Sequence, residues 1–473
     1  VSLAAIYKGS WQGKRVLDGK QVDFISTYFD DQRTSGNPYP LAANAEKSFQ
    51  GSIVLGKGFV LEPAEAEVLI ARNPKNRDVL FPYLNGEDLN SRSDQSPSRW
   101  VINFYDWPLN RKTAPQGYTG PVAADYPDCL EIVERLVKPE RDKLKDDNST
   151  SIRRKIFWWQ YGSDAKQLYR TIAPLERVMV HTRVTKTHGF ARIPNSYIYS
   201  EATVVLAIDN NASVSILNSA FHEFWAWKTS STMKGDRRYS ASDSFETFPF
   251  PPGLEPNREL SVSVPLCAAS SHLSHPSHKD TRPQSKTRAA NQTLGSSSSP
   301  GDASLRDRLE TLGAKLDTDR RELMLKLDIG LTKLYNLYHK PELSVPAVVK
   351  EAKCPESDAN WAVEKITALR TLHKTIDETV RDAYGWQDIP LQHGFYELEF
   401  LPENDRVRYT VSNTARKAIL AELLKLNHTR HAEELAAGLV DENGKILKKN
   451  PHVDTKTQKK KKALKDEGQE EMF

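Results

Sequence analysis

The stretch Arg177-Val178-Met179-Val180-His181-Thr182-Arg183-Val184 is followed, after Thr185-Lys186-Thr187-His188, by Gly189-Phe190-Ala191-Arg192-Ile193. Both runs alternate apolar and polar residues and are bounded by a short polar, basic turn, which predicts two strands of a half-buried sheet. Residues 197–208 add a third, β-branched strand. The period then changes. Over residues 212–228, Leu217, Phe221 and Phe224 share one stripe with Ile216 and Ala220 beside it, which predicts an amphipathic helix. Strands followed by a run of helices predict an α+β chain.

Downstream of that helix, Thr229-Ser230-Ser231-Thr232-Met233-Lys234-Gly235-Asp236-Arg237-Arg238-Tyr239-Ser240 reads as a loop rich in hydroxyls, Lys and Arg. These are the groups that contact phosphates and base edges. The extended apolar run Phe245-Glu246-Thr247-Phe248-Pro249-Phe250-Pro251 closes it. Residues 254–303 are rich in Ser and Pro without periodicity, and read as a disordered insertion or linker. His272, His275 and His278 within it have metal-like spacing, on a tract too loose to cage an ion. From Leu305 the spacing turns helical through Leu309, Leu312, Leu316, Leu323, Leu327, Leu331, Leu334 and Tyr338. A second stripe holds Ala362, Ile366, Leu369, His373, Ile376 and Val380, so an antiparallel helical hairpin is expected. Residues 395–400 and 407–411 predict a small β-hairpin, and Ser412 the N-cap of a last helix ending near Gly438.

Toward the N-terminus, residues 1–7 read as a strand and Arg15-Val16-Leu17 with Asp18-Gly19 as a hairpin. On a chain that opens with Val, a strand without an earlier partner suggests the end of a sheet whose first strands are missing. Residues 47–61 hold two apolar runs split by glycines; a hairpin is expected. Gly56-Lys57-Gly58 lacks the Lys-Ser/Thr and helix of a phosphate loop. Residues 63–71 predict a short helix. Residues 125–145 predict another, with Leu130, Val133 and Val137 on one face and an interruption at Pro139. Asp128 with Glu140-Arg141-Asp142-Lys143 imitates a nuclease acid pattern, but on helical spacing where that chemistry needs adjoining strands. Trp158 and Trp159 read as core in preference to stacking platforms, and His428 and His431 as surface or capping residues.

The 66 Lys+Arg and 62 Asp+Glu leave a net charge of +4, too small to imply any partner. Its distribution says more: residues 151–240 carry 13 Lys/Arg against 6 Asp/Glu, and residues 445–465 nine Lys against one Asp. Local basic density is the footprint of a polyanion partner, with a solvated face as the competing reading. A hydrophobic content of 38% and a mean hydropathy of −0.59 suggest that part of the chain buries nothing. No apolar run reaches the ~18 residues of a membrane span, and the start has neither the basic nor the apolar region of a secretory signal. Cys129, Cys267 and Cys354 lie far apart, excluding a disulfide framework or a four-cysteine zinc site and fitting a reducing cytoplasm.

Several ordered stretches together resemble the C-terminal part of large adenine-specific DNA methyltransferases, the single-chain Type II restriction-modification and phage-defence methylases. In the first part of the chain they are Leu41-Ala42-Ala43-Asn44, Ser48-Phe49-Gln50-Gly51, Asp78-Val79-Leu80-Phe81-Pro82-Tyr83-Leu84-Asn85-Gly86-Glu87-Asp88-Leu89 and Arg99-Trp100-Val101-Ile102-Asn103-Phe104. Val137-Lys138-Pro139-Glu140-Arg141, Trp158-Trp159-Gln160-Tyr161, Arg238-Tyr239-Ser240 and Phe248-Pro249-Phe250-Pro251 follow. Gly330-Leu331-Thr332-Lys333-Leu334-Tyr335-Asn336, Ala383-Tyr384-Gly385-Trp386 and Leu426-Asn427-His428 complete the set. In that family a Gly-containing loop binds S-adenosylmethionine and an Asn/Asp-Pro-Pro-Tyr/Phe tetrapeptide holds a flipped adenine, out of the stack where chemistry can reach it. Here the closest string is Asn37-Pro38-Tyr39-Pro40, which lacks the second proline, and no cofactor loop is visible.

The resemblance therefore implies a mixed α/β DNA target-recognition domain followed by an α-helical hairpin region. Its layout is a methylase-sheet remnant over 1–45, a recognition domain over 46–253, the insertion over 254–303, a helical domain with its small hairpin over 304–444, and a charged, disordered lysine-rich tail over 445–473. The implied function is sequence-specific recognition of double-stranded DNA as part of an S-adenosylmethionine-dependent adenine-N6 methyltransferase, inactive alone, with the cofactor held by the complete enzyme. Arg183, Lys186, Thr187, His188, Ser230, Ser231, Lys234, Arg237, Arg238 and Tyr239 are the expected DNA contacts, a solvated loop rim being the bland alternative for each. A specificity subunit that works with a separate catalytic chain, and a truncated inactive remnant, are the other readings.

Overall fold

The computed structural model describes residues 9, 11–17, 19–23, 25, 36–233, 235–257 and 300–447. The strand expected over 1–7, most of the 254–303 insertion with its three histidines, Lys234 and residues 448–473 of the lysine-rich tail lie outside the described residues. The described chain is mixed α and β.

β1 (Arg15–Leu17) and β2 (Lys20–Val22) form the expected hairpin, with Gly19 at φ +76°. β3 (Ser48–Gln50) and β4 (Val60–Leu61) do not pair with each other as expected but open two different sheets. The glycines between them admit neighbouring atoms instead of turning a hairpin. A Cβ on Gly51 would stand 2.1 Å from the Ser200 carbonyl oxygen, and one on Gly58 2.4 Å from Leu136 Cβ. α1 (Pro63–Arg72) starts on a proline, and the Glu62 N–H donates to Glu65 Oε2 at 2.8 Å. β5 (Leu80–Leu84) leads into α2 (Gly86–Ser91), capped by the Asn85 side chain, and β6 (Arg99–Ile102) follows. α3 (Pro127–Leu136) and α4 (Lys138–Asp142) meet at a break beside Pro139, as its missing N–H requires. α5 (Ser149–Ile156) and α6 (Lys166–Ile172) complete this half, whose core gathers Phe59, Ile102, Val133, Val137, Trp158, Trp159 and Tyr161. Arg141, 1% exposed, ties that core together. Its guanidinium donates to the carbonyls of Gln160 (2.6 Å), Leu55 (3.0 Å), Phe157 and Trp158 (3.2 Å each) and Val54 (3.4 Å).

The stretch first quoted becomes β7 (Arg177–Thr182), β8 (Val184–Thr185) and β9 (Ala191–Pro194). Residues 197–208 are two strands, β10 (Ile198–Tyr199) and β11 (Thr203–Leu206), because Thr203 turns back to give both its N–H and its hydroxyl to the Ser200 carbonyl. The first sheet has the order β10-β5-β6-β4, parallel only at β10–β5; the second, β3-β11-β7-β9, is antiparallel throughout. The expected helix over 212–228 is broken into α7 (Asn211–Leu217) and α8 (Ala220–Thr229). Distant partners make the break. Asn218 Oδ1 accepts the Phe190 N–H at 2.9 Å, and Asp377 Oδ1 accepts the Ala220 N–H at 2.8 Å, serving the first orphan donor of α8. The expected loop is a second hairpin, β12 (Ser231–Met233) and β13 (Asp236–Arg238), turned at Gly235 with φ +87°. β13 pairs with β8 to complete a third sheet.

Beyond the insertion lie α9 (Pro300–Leu327), α10 (Leu331–Tyr338), α11 (Val345–Ala352), α12 (Glu356–Tyr384), β14 (Gly394–Glu397), β15 (Val407–Thr410) and α13 (Asn413–Ala436). The helix begins at Pro300, inside the stretch read as insertion. The two leucine-rich stripes meet as expected, with α9 lying against α12. α9 also lies against α7, so the buried Leu309, Leu316 and Leu323 share one core with Ile216, Phe221, Ile366 and Ile376. Ser412 Oγ accepts the Ala415 N–H at 3.2 Å and caps α13, as its position predicts.

Candidate nucleic-acid interface

Four of the expected DNA contacts face inward. The corrections concern Thr187, His188, Arg237 and Tyr239, all buried, Arg237 and Tyr239 completely. Successive residues of a strand point to opposite faces, so the Arg237-Arg238 pair splits: Arg238 faces solvent and Arg237 enters the core. There an Arg237 Nη2–H donates to His181 Nε2 at 2.9 Å, while His181 Nδ1 lies 2.9 Å from the Gly189 carbonyl and carries the proton donated to it. Burial, reinforced by the Arg237 cation, pushes the His181 pKa down to about 3, so the ring is neutral and able to accept. Burial likewise lowers Arg237 to about 10, the Glu223 carboxylate partly countering it. The Tyr239 hydroxyl meets His222 Nε2 at 2.9 Å, and His188 donates from Nε2 to the Leu217 carbonyl at 2.7 Å. These groups seat the hairpin on the core and are not offered at its surface.

The remaining positions form a surface. Arg183 links β7 to β8, fixed by its N–H to the Ala202 carbonyl (2.8 Å) and by its carbonyl accepting the Tyr239 N–H (2.7 Å). Its pKa is lowered first by partial burial and next by Arg238, with Glu201 opposing, so the two guanidiniums sense one another. Ser231 lies opposite Arg238 in the β12–β13 register, and both are exposed. Ser230 is half-buried, its Oγ 2.9 Å from Ser244 Oγ. Lys186 is half-exposed and pairs with Asp405 at 2.7 Å. Sequence reading missed two residues around this surface. Thr232 is exposed on the other side of the hairpin, opposite Arg237 in the register; Asp405 lies 219 positions from its partner, with no local signal to find it.

The strings that invited cofactor or metal chemistry are structural. A Cβ on Gly56 would meet Phe59 and Val137, each at 3.1 Å, so with Gly58 it allows close packing on α3 instead of cradling a ligand. In Asn37-Pro38-Tyr39-Pro40, the Tyr39 ring stacks on His431 at 3.9 Å, and its N–H and carbonyl are both held by Asn427. An aromatic so engaged does not fit a base or the methyl-donor cofactor. Asn44 Nδ2 reaches the carbonyls of Phe245, Glu246 and Phe248, joining two of the quoted family stretches as packing. Trp158 and Trp159 are core, with Trp159 Nε1 donating to the Trp107 carbonyl at 2.9 Å. Asp128 is bound by Arg72 and Asn76 on a helix, away from nuclease geometry. Among the described residues no three His, Cys, Asp or Glu are placed to hold a metal, and no helix is long and apolar enough to cross a membrane.

No family model matches the chain, and no curated protein matches it. Among solved structures, it is similar to the Type IIL restriction-modification enzyme MmeI in complex with DNA, at 13% identity with a TM-score of 0.49 over 87% of this chain. The chain spans 39% of the length of that one.

Proposed function

We propose that this chain reads double-stranded DNA through the face of Arg183, Ser231 and Arg238, as the target-recognition part of an adenine-N6 DNA methyltransferase of restriction-modification or phage defence, in the cytoplasm. The observation that carries the reading is the Arg183–Arg238 pair. Arg238 ends β13, and Arg183 sits in the β7–β8 link with its carbonyl accepting the N–H of Tyr239, the next residue along. Their like charges oppose one another with the Glu201 carboxylate countering only in part, and a further anion is favoured there. A phosphate supplies that anion and accepts the planar fork of an arginine. The outward face of the β12–β13 hairpin offers the Ser231 hydroxyl to a base edge while the arginines hold register on the backbone. The methyl donor and the flipped adenine belong to a catalytic portion that the residues here do not fit, so the chain's part is to select and orient the duplex.

Selection from a pool of randomised duplexes tests this, with an enriched sequence as the expected result. Arg183→Ala and Arg238→Ala should each reduce the slope of log affinity against log salt by about 0.9, one phosphate contact apiece. Absence of binding even at low salt refutes the reading. Methyl transfer to the enriched duplex on mixing with a catalytic methyltransferase chain would place the module in its enzyme, whereas binding without transfer by any such chain supports a stand-alone specificity role.

A further inference from the structure

Lys186 does not stand free on the proposed DNA face. Its Nζ lies 2.7 Å from Asp405 Oδ2, while Arg408 Nη2 lies 3.6 Å from the other carboxylate oxygen. Asp405 closes a short turn (Glu403–Asp405) between β14 and β15. The same connection touches the hairpin unit at two more places. Pro402 Cγ lies 3.1 Å from where a Gly235 Cβ would stand, and the Phe400 ring lies 5.1 Å from that of Trp227, which in turn lies 5.4 Å from the buried Arg237 guanidinium. The β14–β15 connection therefore touches the reading hairpin at its tip, the helix α8 that leads into it and, through one ion pair, the turn that follows its sheet partner β8. The Lys186 and Asp405 side chains are 34% and 26% exposed, so a phosphate can approach the ammonium, and a pair this open is weak enough to be exchanged.

We infer that Asp405 is a positioning residue that masks Lys186, so that this lysine serves DNA only where the docked geometry brings a phosphate close enough to displace the carboxylate. The inference rests on the DNA-recognition reading above and adds a source of selectivity to it. A cation neutralised in the free protein adds little to random encounters, while a well-docked duplex recovers it.

The test uses Asp405→Asn in the full chain, against a random-sequence duplex and against the duplex enriched by selection. With the mask removed, affinity for the random duplex rises and its log–log salt slope steepens by about 0.9, which makes its loss of affinity from 50 to 200 mM salt about 3.5-fold larger. The preference for the enriched duplex narrows correspondingly. The double variant Lys186→Met/Asp405→Asn returns the slope to the wild-type value. An unchanged slope and preference overturn the inference. So does a parallel fall in affinity for both duplexes, which marks a hairpin that has lost its seat. If the wild-type chain binds no duplex, the underlying reading fails and the mask with it, whereas wild-type binding with an inert Asp405→Asn removes the mask alone.

Discussion

Replacing Arg141 by lysine tests whether the geometry of one buried side chain holds the N-terminal half together. The guanidinium spreads five carbonyl contacts between residues 54–55 and 157–160, at 2.6 to 3.4 Å. A lysine has three donors on a single nitrogen and cannot span both segments. Hydrogen bonds to a charged group contribute about 1.5–3 kcal/mol each, so losing two or more predicts about 3–5 kcal/mol of destabilisation. That range matches what breaking a buried charge network costs. Burial already depresses the Arg141 pKa to about 10, and an ammonium in its place gives up its proton more easily, which deepens the loss. Hydrogen exchange read at residues 54–55 and 157–160 is the assay. Opening there should become at least about 100-fold more frequent, since each 1.4 kcal/mol is tenfold. Arg141→Met, which leaves every one of these carbonyls without the donor, should do no better. Wild-type protection in both variants would refute the argument.

The second prediction concerns pH. Burial lowers the pKa values of His181 (to about 3) and His373 (to about 4), and holds those of His188, His222 and His339 well below the ordinary imidazole range. Their unfolded forms titrate near 6.5, so the unfolded chain binds more protons than the folded one below that pH. The stabilisation is fully present above about pH 6.5 and is lost as pH falls toward 4, at up to about 1.4 kcal/mol per histidine per pH unit. Against a typical folding free energy of about 5–15 kcal/mol, even the two histidines His181 and His373 make a loss large enough to read. Circular dichroism against pH should show a steep loss of fold between pH 6 and 4, and a chain folded and undiminished in Tm at pH 4 would contradict it. The third is Gly313→Ala in α9. Helix propensity alone would make this stabilising by about 1 kcal/mol, but the new Cβ would stand 1.9 Å from the Asn211 carbonyl oxygen, so a lower Tm is expected.

Where local chemistry governs a segment, the sequence was legible. The Ser412 cap, the break beside Pro139, the β14–β15 hairpin and the facing stripes of α9 and α12 follow from rules that act within a few residues. Where a partner far along the chain governs, it was not. The gap between α7 and α8 depends on Asp377, and the glycines at 51 and 58 answer to Ser200 and Leu136. Residue type alone also misplaced part of the candidate surface. The composition of residues 229–240 predicts a loop, and only the strand alternation imposed by pairing with β8 sends Arg237 inward and leaves Arg238 outside. Composition carries the basic character of the region, but which cations face solvent is written in tertiary packing.

The shared core has an evolutionary corollary. Because α9 lies under α7 and Asp377 of α12 starts α8, the hairpin-bearing half cannot be traded between related chains as a cassette ending at residue 257. A recombination event that replaces residues 211–229 must carry α9 and α12 with it, because their side chains complete that core. Variation confined to the outward positions Ser231 and Arg238 leaves the core untouched, whereas a change at Arg237 does not. On the ribosome the same wiring delays completion: α8 emerges 157 positions before the carboxylate that begins it.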